Sequence, residues 1–338
     1  MGLALLPSGA QAFSKAIWGE ASRNGVSQFP LYHRLGVRIY ETRLDWSQVA
    51  PRRPRDGRNP SDRAYRWPAS MAQTIRQAQR YHMQVLVQLM FTPRWANHGQ
   101  ARNVPPTTPA IFGNFAKAAA RKYPHVHLWM IWGEPDRTPN FSLTRVVAPG
   151  AHLSAADKAA PHLYARLVDC AYGSLKAVSR HNLVLAGSTY TSGDIATKQW
   201  IENLRLPNGR PPRMDMYAHN PFGYRVPSLT ASSSPFGEVQ FSDLPDLARW
   251  IDANLRRPMP IFLSEYTIPT RADEEFPFWV DPTVAASWVT DALRLSRQWH
   301  RIFGLGWVHV YDDPPVSYGG LLTAQGKPKP DYYAFQHG

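Results

Sequence analysis

A single cysteine, Cys170, in 338 residues excludes an internal disulfide and any thiolate cluster around a metal. It falls in a helical pattern beside Leu167 and Leu175, where packing is the expected role. No run of 18 or more apolar residues occurs, so no segment reads as a membrane-spanning helix. Low-complexity tracts are missing too, and 43% apolar with 12% aromatic residues is enough material for one large core. Signatures of other chemistries are also lacking. There is no Gly-x-Ser-x-Gly elbow for a serine hydrolase, and no Gly-x-Gly-x-x-Gly or P-loop pattern to cradle phosphate. Twelve histidines invite a metal site, yet no two stand at i, i+4 beside an acid. His125 and His127 flank the start of an expected strand, at the end of the fold away from chemistry. No metal is expected.

Acidic residues are the scarce charge: 25 Asp and Glu against 38 Lys and Arg leave a formal net charge of +13. The basic residues are scattered, apart from the short Arg52-Arg53-Pro54-Arg55 stretch, so nucleic acid is not the expected partner. The charge points instead to acidic surroundings or an acidic substrate. Leu3 to Leu6, followed by Pro-Ser-Gly-Ala-Gln-Ala, is similar to the tail of a secretory signal, although a positive leading region is missing. Residues 1–12 therefore read either as a signal remnant on an extracytoplasmic protein or as a flexible arm on a cytoplasmic one. The folded domain is expected over 13–338.

Short runs rich in Val, Ile and Leu alternate with longer segments of helical period, the pattern of a parallel sheet with crossover helices. The expected strands are 16–18, 37–43, 85–90, 128–132, 183–186, 214–217, 261–263 and 305–310, and helical spacing is clearest over 68–82 and 109–122. Further helices are expected around 164–179, 244–255 and 283–299. Eight strands alternating with helices predict a single (β/α)8 TIM barrel, in which the loops after the strands build the active face.

That rule selects two carboxylates. The fourth strand ends Trp132-Gly133-Glu134-Pro135 and the seventh Leu263-Ser264-Glu265-Tyr266. Three strand steps around an eight-strand ring set the two groups on opposing sides of one pocket. A strand-end salt bridge explains either glutamate alone, but two such groups across a sugar-sized gap suit glycoside cleavage. An aromatic, partly dry surround is expected to raise Glu134, as a general acid requires.

These segments resemble the clan A glycoside hydrolases, the cellulase-like and β-xylosidase-like families. So do Arg43-Leu44-Asp45-Trp46, Tyr65-Arg66-Trp67-Pro68, Phe91-Thr92-Pro93-Arg94-Trp95-Ala96 and the closing Tyr318-Gly319-Gly320-Leu321-Leu322, in order and spacing over most of the chain. The resemblance implies Glu134 as acid/base, Glu265 as nucleophile, double displacement with retention, a glycan or glycoside substrate and no cofactor. One departure stands out. Clan members usually carry Asn before the acid/base, bonded to the sugar 2-hydroxyl, where this chain has Gly133; Asn220 or His219 is the expected replacement.

Other site candidates follow from strand ends. Arg43 is placed to keep Glu265 ionised, or in a surface salt bridge. Tyr217 shares a strand face with His219 and is read as a nucleophile partner or as core. Trp95 and Trp307 are candidate stacking platforms for sugar rings, and His309, Tyr311 and Asp312 are subsite candidates. Glu41 has no assigned role beyond pairing with Arg43 or Arg38. The rival readings are a carbohydrate-binding barrel without catalysis and a basic polyanion-binding protein. Sugar identity, linkage and oligomeric state are not legible.

Overall fold

The computed structural model describes residues 13–255 and 257–338. The signal-or-arm expectation for residues 1–12 lies outside the described residues, and so does the localisation drawn from it.

Eight parallel strands close into a barrel: β1 (Ser14–Trp18), β2 (Ile39–Asp45), β3 (Gln84–Met90), β4 (Leu128–Ile131), β5 (Leu183–Tyr190), β6 (Met216–Asn220), β7 (Ile261–Tyr266) and β8 (Ile302–Trp307). Neighbours pair in sequence order, and β8 returns to β1 through Ala16↔Gly306 and Ile17↔Trp307. A helix follows each strand: α1 (Phe29–Arg34), α2 (Ala69–Arg80), α3 (Pro109–Lys122), α4 (Ala159–Lys176), α5 (Thr197–Glu202), α6 (Leu244–Asn254), α7 (Pro282–Gln298) and α8 (Pro330–His337). The fold is the expected single (β/α)8 barrel.

Strand alternation divides the core in two. Ala16, Ile39, Leu86, Leu128, Met130, Leu185, Met216, Ala218 and Phe262 fill the barrel, while Ile17, Tyr40, Val87, Trp129, Tyr217, Leu263 and Trp307 face the helices. Each fully buried large side chain contributes about 1.5–3 kcal/mol. Helix starts are written into the sequence. Pro282 opens α7 while the Asp281 carboxylate accepts from the Thr283 N–H at 2.8 Å. Cys170 sits half-buried on α4, where its carbonyl lies 3.0 Å from the point a Cβ on Gly113 of α3 would occupy, so the two helices pack closely.

The eighth strand begins at Ile302 rather than at 305. Gly304 and Gly306 break its hydrophobic run, yet both belong to the strand: a Cβ on 306 would stand 2.2 Å from Glu41 Oε1 and 2.4 Å from the Ser264 carbonyl. The barrel interior has no room for a side chain there.

Candidate active site

Glu134 leaves β4 through a distorted turn. Trp132 and Glu134 take φ of 64° and 45°, and Ser188, whose carbonyl accepts from the Glu134 N–H at 2.9 Å, takes 46°. Three non-glycine residues in the left-handed region cost about 1–3 kcal/mol each, and such strain gathers where geometry matters more than stability. The loop after β4 then folds back on itself, with Arg137 N–H bonded to the Glu134 carbonyl and Asn140 N–H to that of Arg137, both at 3.1 Å.

This turn returns two donors to the buried carboxylate. Arg137 Nη1 reaches Glu134 Oε2 at 2.7 Å and Asn140 Nδ2 reaches the same oxygen at 3.0 Å. From β6, Asn220 Nδ2 donates to Glu134 Oε1 at 3.0 Å, while Asn220 Oδ1 accepts from Ser264 Oγ on β7 at 2.7 Å. Arg137 also lies over the Tyr190 ring, 4.3 Å from its centre. Glu134 therefore does not stand in the apolar surround expected of it; both its oxygens are taken by donors.

Glu265 is the carboxyl that burial pushes up, to about 8, with Glu134 raising it further against the pull of Arg43 and Arg137. Burial thus makes Glu265 hold its proton more tightly than an ordinary carboxyl does. Arg43 lowers Glu265, as expected of it, but burial outweighs it. Its Nε donates to Gln88 Oε1 at 2.6 Å, and its guanidinium lies between the rings of Trp18 and Phe91, 5.8 and 5.7 Å from their centres.

Gln88 answers the question posed by Gly133. Its Nε2, buried and without a partner, lies 2.5 Å from where a Cβ on 133 would stand. The amide from β3 thus occupies the space that a side chain at 133 would fill. Glu41 is buried deeper. Neither oxygen has a partner, and burial with Glu265 nearby raises its carboxyl well above the ordinary range.

Several expected site residues lie elsewhere. His219 faces outward from β6, with Nδ1 on Thr189 Oγ1 at 2.9 Å and Nε2 on the Val239 carbonyl at 2.9 Å; burial lowers it to about 4. Tyr217 shares that outer face and bonds Thr189, not the nucleophile. Trp307 is fully buried against Tyr266 and Phe335, and its Nε1 donates to the Gly319 carbonyl at 3.1 Å. Trp95 meets Trp46 edge-on and donates to the Ala50 carbonyl, leaving it part of the loop packing. Asp312 is closed off in a buried pair with Lys329 at 3.0 Å. Asn220 is in the site, but as the tether of Glu134. His309 Nε2 meets Glu275 Oε2 at 2.8 Å. Burial works to raise Glu275, but hydrogen bonding and charge from His309 bring it down overall.

Sequence reading did not select Arg137, Asn140, Gln88 or Glu275 as site residues; Trp18, one of the tryptophans it placed near strand ends, donates through Nε1 to the Ser264 carbonyl at 3.1 Å. The only signal for Arg137 and Asn140 was their spacing, three and six residues after Glu134 in a Pro-rich turn. An aromatic wall of Tyr190, Phe222, Phe276 and Phe278, with neighbouring ring centres 5.0–5.6 Å apart, joins the loops after β5, β6 and β7.

Fold and site together define a (β/α)8 barrel with two carboxyls, Glu134 just past the end of β4 and Glu265 on β7, and the fold is shared with solved glycoside hydrolases. Among solved structures, the chain is similar to a family 39 glycoside hydrolase from Bacteroides cellulosilyticus WH2 (TM-score 0.66, 18% identity, 97% of this chain and 63% of that one). It is also similar to a monomeric β-xylosidase from Caulobacter crescentus CB15 (0.65, 16%, 96% and 67%) and a glucosidase from Croceicoccus marinus (0.68, 13%, 96% and 65%). The chain thus spans about two thirds of the length of these proteins. No protein-family profile and no curated protein matches the sequence.

Proposed function

We propose that the protein is a retaining glycoside hydrolase, with Glu134 as acid/base and Glu265 as nucleophile. The observation that carries this reading is the placement of two carboxyls, one just past the end of β4 and one at the end of β7, joined through Asn220, which bonds Glu134 and Ser264, the neighbour of Glu265; the charge of Glu134 is one cause of the raised Glu265. A glycosidase needs one proton and one negative charge shared between two such groups. Arg137 and Asn140 hold one oxygen of Glu134 and Asn220 holds the other. Double displacement starts from a protonated Glu134 and an ionised Glu265. Glu134 then protonates the glycosidic oxygen, Glu265 attacks the anomeric carbon, and the C–O bond to the leaving group breaks. In the second half, Glu134 takes a proton from water, whose oxygen displaces Glu265.

Turnover of aryl pyranosides and furanosides, followed by proton NMR, tests the reading. The first-formed sugar is expected to keep the anomeric configuration of the substrate. An inverted first product, or no turnover of any glycoside or glycan, overturns it.

Within this reading, Gln88 supplies from β3 the amide contact that Gly133 cannot. A side chain at 133 is not forbidden by the backbone, which lies outside the left-handed region, but it displaces the Gln88 amide from Arg43. Gly133→Asn alone is expected to lower kcat/KM roughly 10- to 100-fold, equivalent to about 1.4–2.8 kcal/mol. The double change Gln88→Gly with Gly133→Asn is expected to recover most of it. If the double variant is no better than the product of the two single losses, the two positions do not share one task.

A further inference from the structure

The Arg52-Arg53-Pro54-Arg55 stretch takes no part in the chemistry above, and the fold gives it a shape. It lies in the loop between β2 and α2, on the barrel face that carries Glu134 and Glu265. Together with Arg63, Ser61, Asp62 and Ala64 it lines a cavity of about 680 Å³. Its lining holds four arginines and one aspartate, and among the described residues none of Arg52, Arg53, Arg55 and Arg63 has an acid within salt-bridge distance.

The frame beneath them is fixed. Tyr65 Oη donates to the Gly57 carbonyl at 2.6 Å, Trp67 Nε1 to that of Pro60 at 2.8 Å, and Arg121 Nη1 to that of Arg58 at 2.9 Å. The Asp62 carboxylate accepts the N–H groups of Ala64 and Asp56, and Tyr65 and Trp67 stack with ring centres 4.9 Å apart. Like charges gathered on a rigid loop repel one another, and Asp62, whose charge interacts with Arg55, offsets only part of that repulsion. What relieves them is an anion that arrives from outside.

We infer that this cavity is a second binding site, which takes the carboxylate or sulfate groups of an acidic polysaccharide. The lining chemistry favours a glycan over a nucleic acid. No aromatic ring lines the cavity for a base to stack on, as single-stranded nucleic acid sites provide. Ser61 donates and Asp62 accepts, which suits sugar hydroxyls set beside the anionic groups that the arginines hold. Choosing a glycan rests in part on the proposed glycosidase activity, but binding is measured without turnover, so the two ideas fail separately.

The test compares wild type with a variant carrying Arg52→Ala, Arg53→Ala, Arg55→Ala and Arg63→Ala, in binding to immobilised heparin, polygalacturonate, neutral dextran and a DNA duplex. Wild type is expected to bind one or both acidic glycans and not dextran, with affinity falling roughly 20- to 40-fold between 50 and 200 mM salt, as about three ion contacts predict. The variant is expected to lose at least tenfold in acidic-glycan affinity while its circular dichroism and its kcat on a small aryl glycoside stay unchanged. Equal binding by wild type and variant, or tighter binding to DNA than to either acidic glycan, overturns the proposal. Should the quadruple variant misfold, Arg52→Glu with Arg55→Glu serves in its place, with the same outcomes.

Discussion

Glu265→Ala is expected to lose about four to six orders of magnitude in kcat, equivalent to about 5–8 kcal/mol of transition-state stabilisation. The loss is large because no other carboxylate can attack from that side. Glu41 is buried with both oxygens enclosed, and Glu275 is committed to His309. Azide admitted to the vacated space is expected to restore turnover of an activated aryl glycoside and to give a glycosyl azide of inverted configuration, because the external nucleophile then performs a single displacement. Glu134→Ala should respond differently. With a leaving group that needs no protonation the first step survives, the second slows, and azide yields a product of retained configuration. Identical behaviour of the two variants would refute the assignment of roles, even if both lose activity.

Glu265→Gln is expected to stabilise the fold, increasingly so as pH rises. The ordinary glutamate value is near 4.5 and burial lifts Glu265 to about 8. Between these values the folded state holds a proton that the unfolded chain has released. Stability from this group is therefore present below about 4.5 and falls as pH rises towards 8, by about 1.4 kcal/mol per pH unit. Glutamine keeps the neutral shape and does not titrate. From pH 5 to pH 8 the advantage of the variant over wild type should widen by on the order of 4 kcal/mol, read from urea unfolding at both pH values. Glu41 also contributes a falling slope; burial, its larger cause, is the same in both proteins, and the smaller part due to Glu265 is relieved in the variant, which widens the difference in the same direction. Parallel stability curves would mean that Glu265 is ionised in the folded protein at pH 7 and that burial does not raise it.

The barrel was legible because its strands are apolar runs of the right length between helices of clear period. The two glutamates were legible because each stands where a buried strand meets its loop. The direction of the other side chains was not. In a parallel barrel both faces of a strand are covered, so inner and outer residues are equally apolar and polarity does not mark the side. On β6 the inner positions are Met216, Ala218 and Asn220, and the outer ones Tyr217 and His219. Sequence reading grouped Tyr217 with His219 correctly, yet placed both in the site. Trp307 misled for the same reason. Arg137 and Asn140 were hidden by the loop that brings them back to Glu134, since a turn of this kind has no period to read. Asp312 looked free because its partner, Lys329, lies seventeen positions along the chain.

The crowding between Gln88 and Gly133 also constrains how such a site can change over generations. A lineage that gains an asparagine at 133 while Gln88 is still long passes through a protein in which each side chain evicts the other. One that shortens Gln88 first loses a contact but meets no collision. The viable path between the two arrangements therefore runs in one order: in this chain the reach of Gln88 has to be given up before an asparagine at 133 can be accommodated.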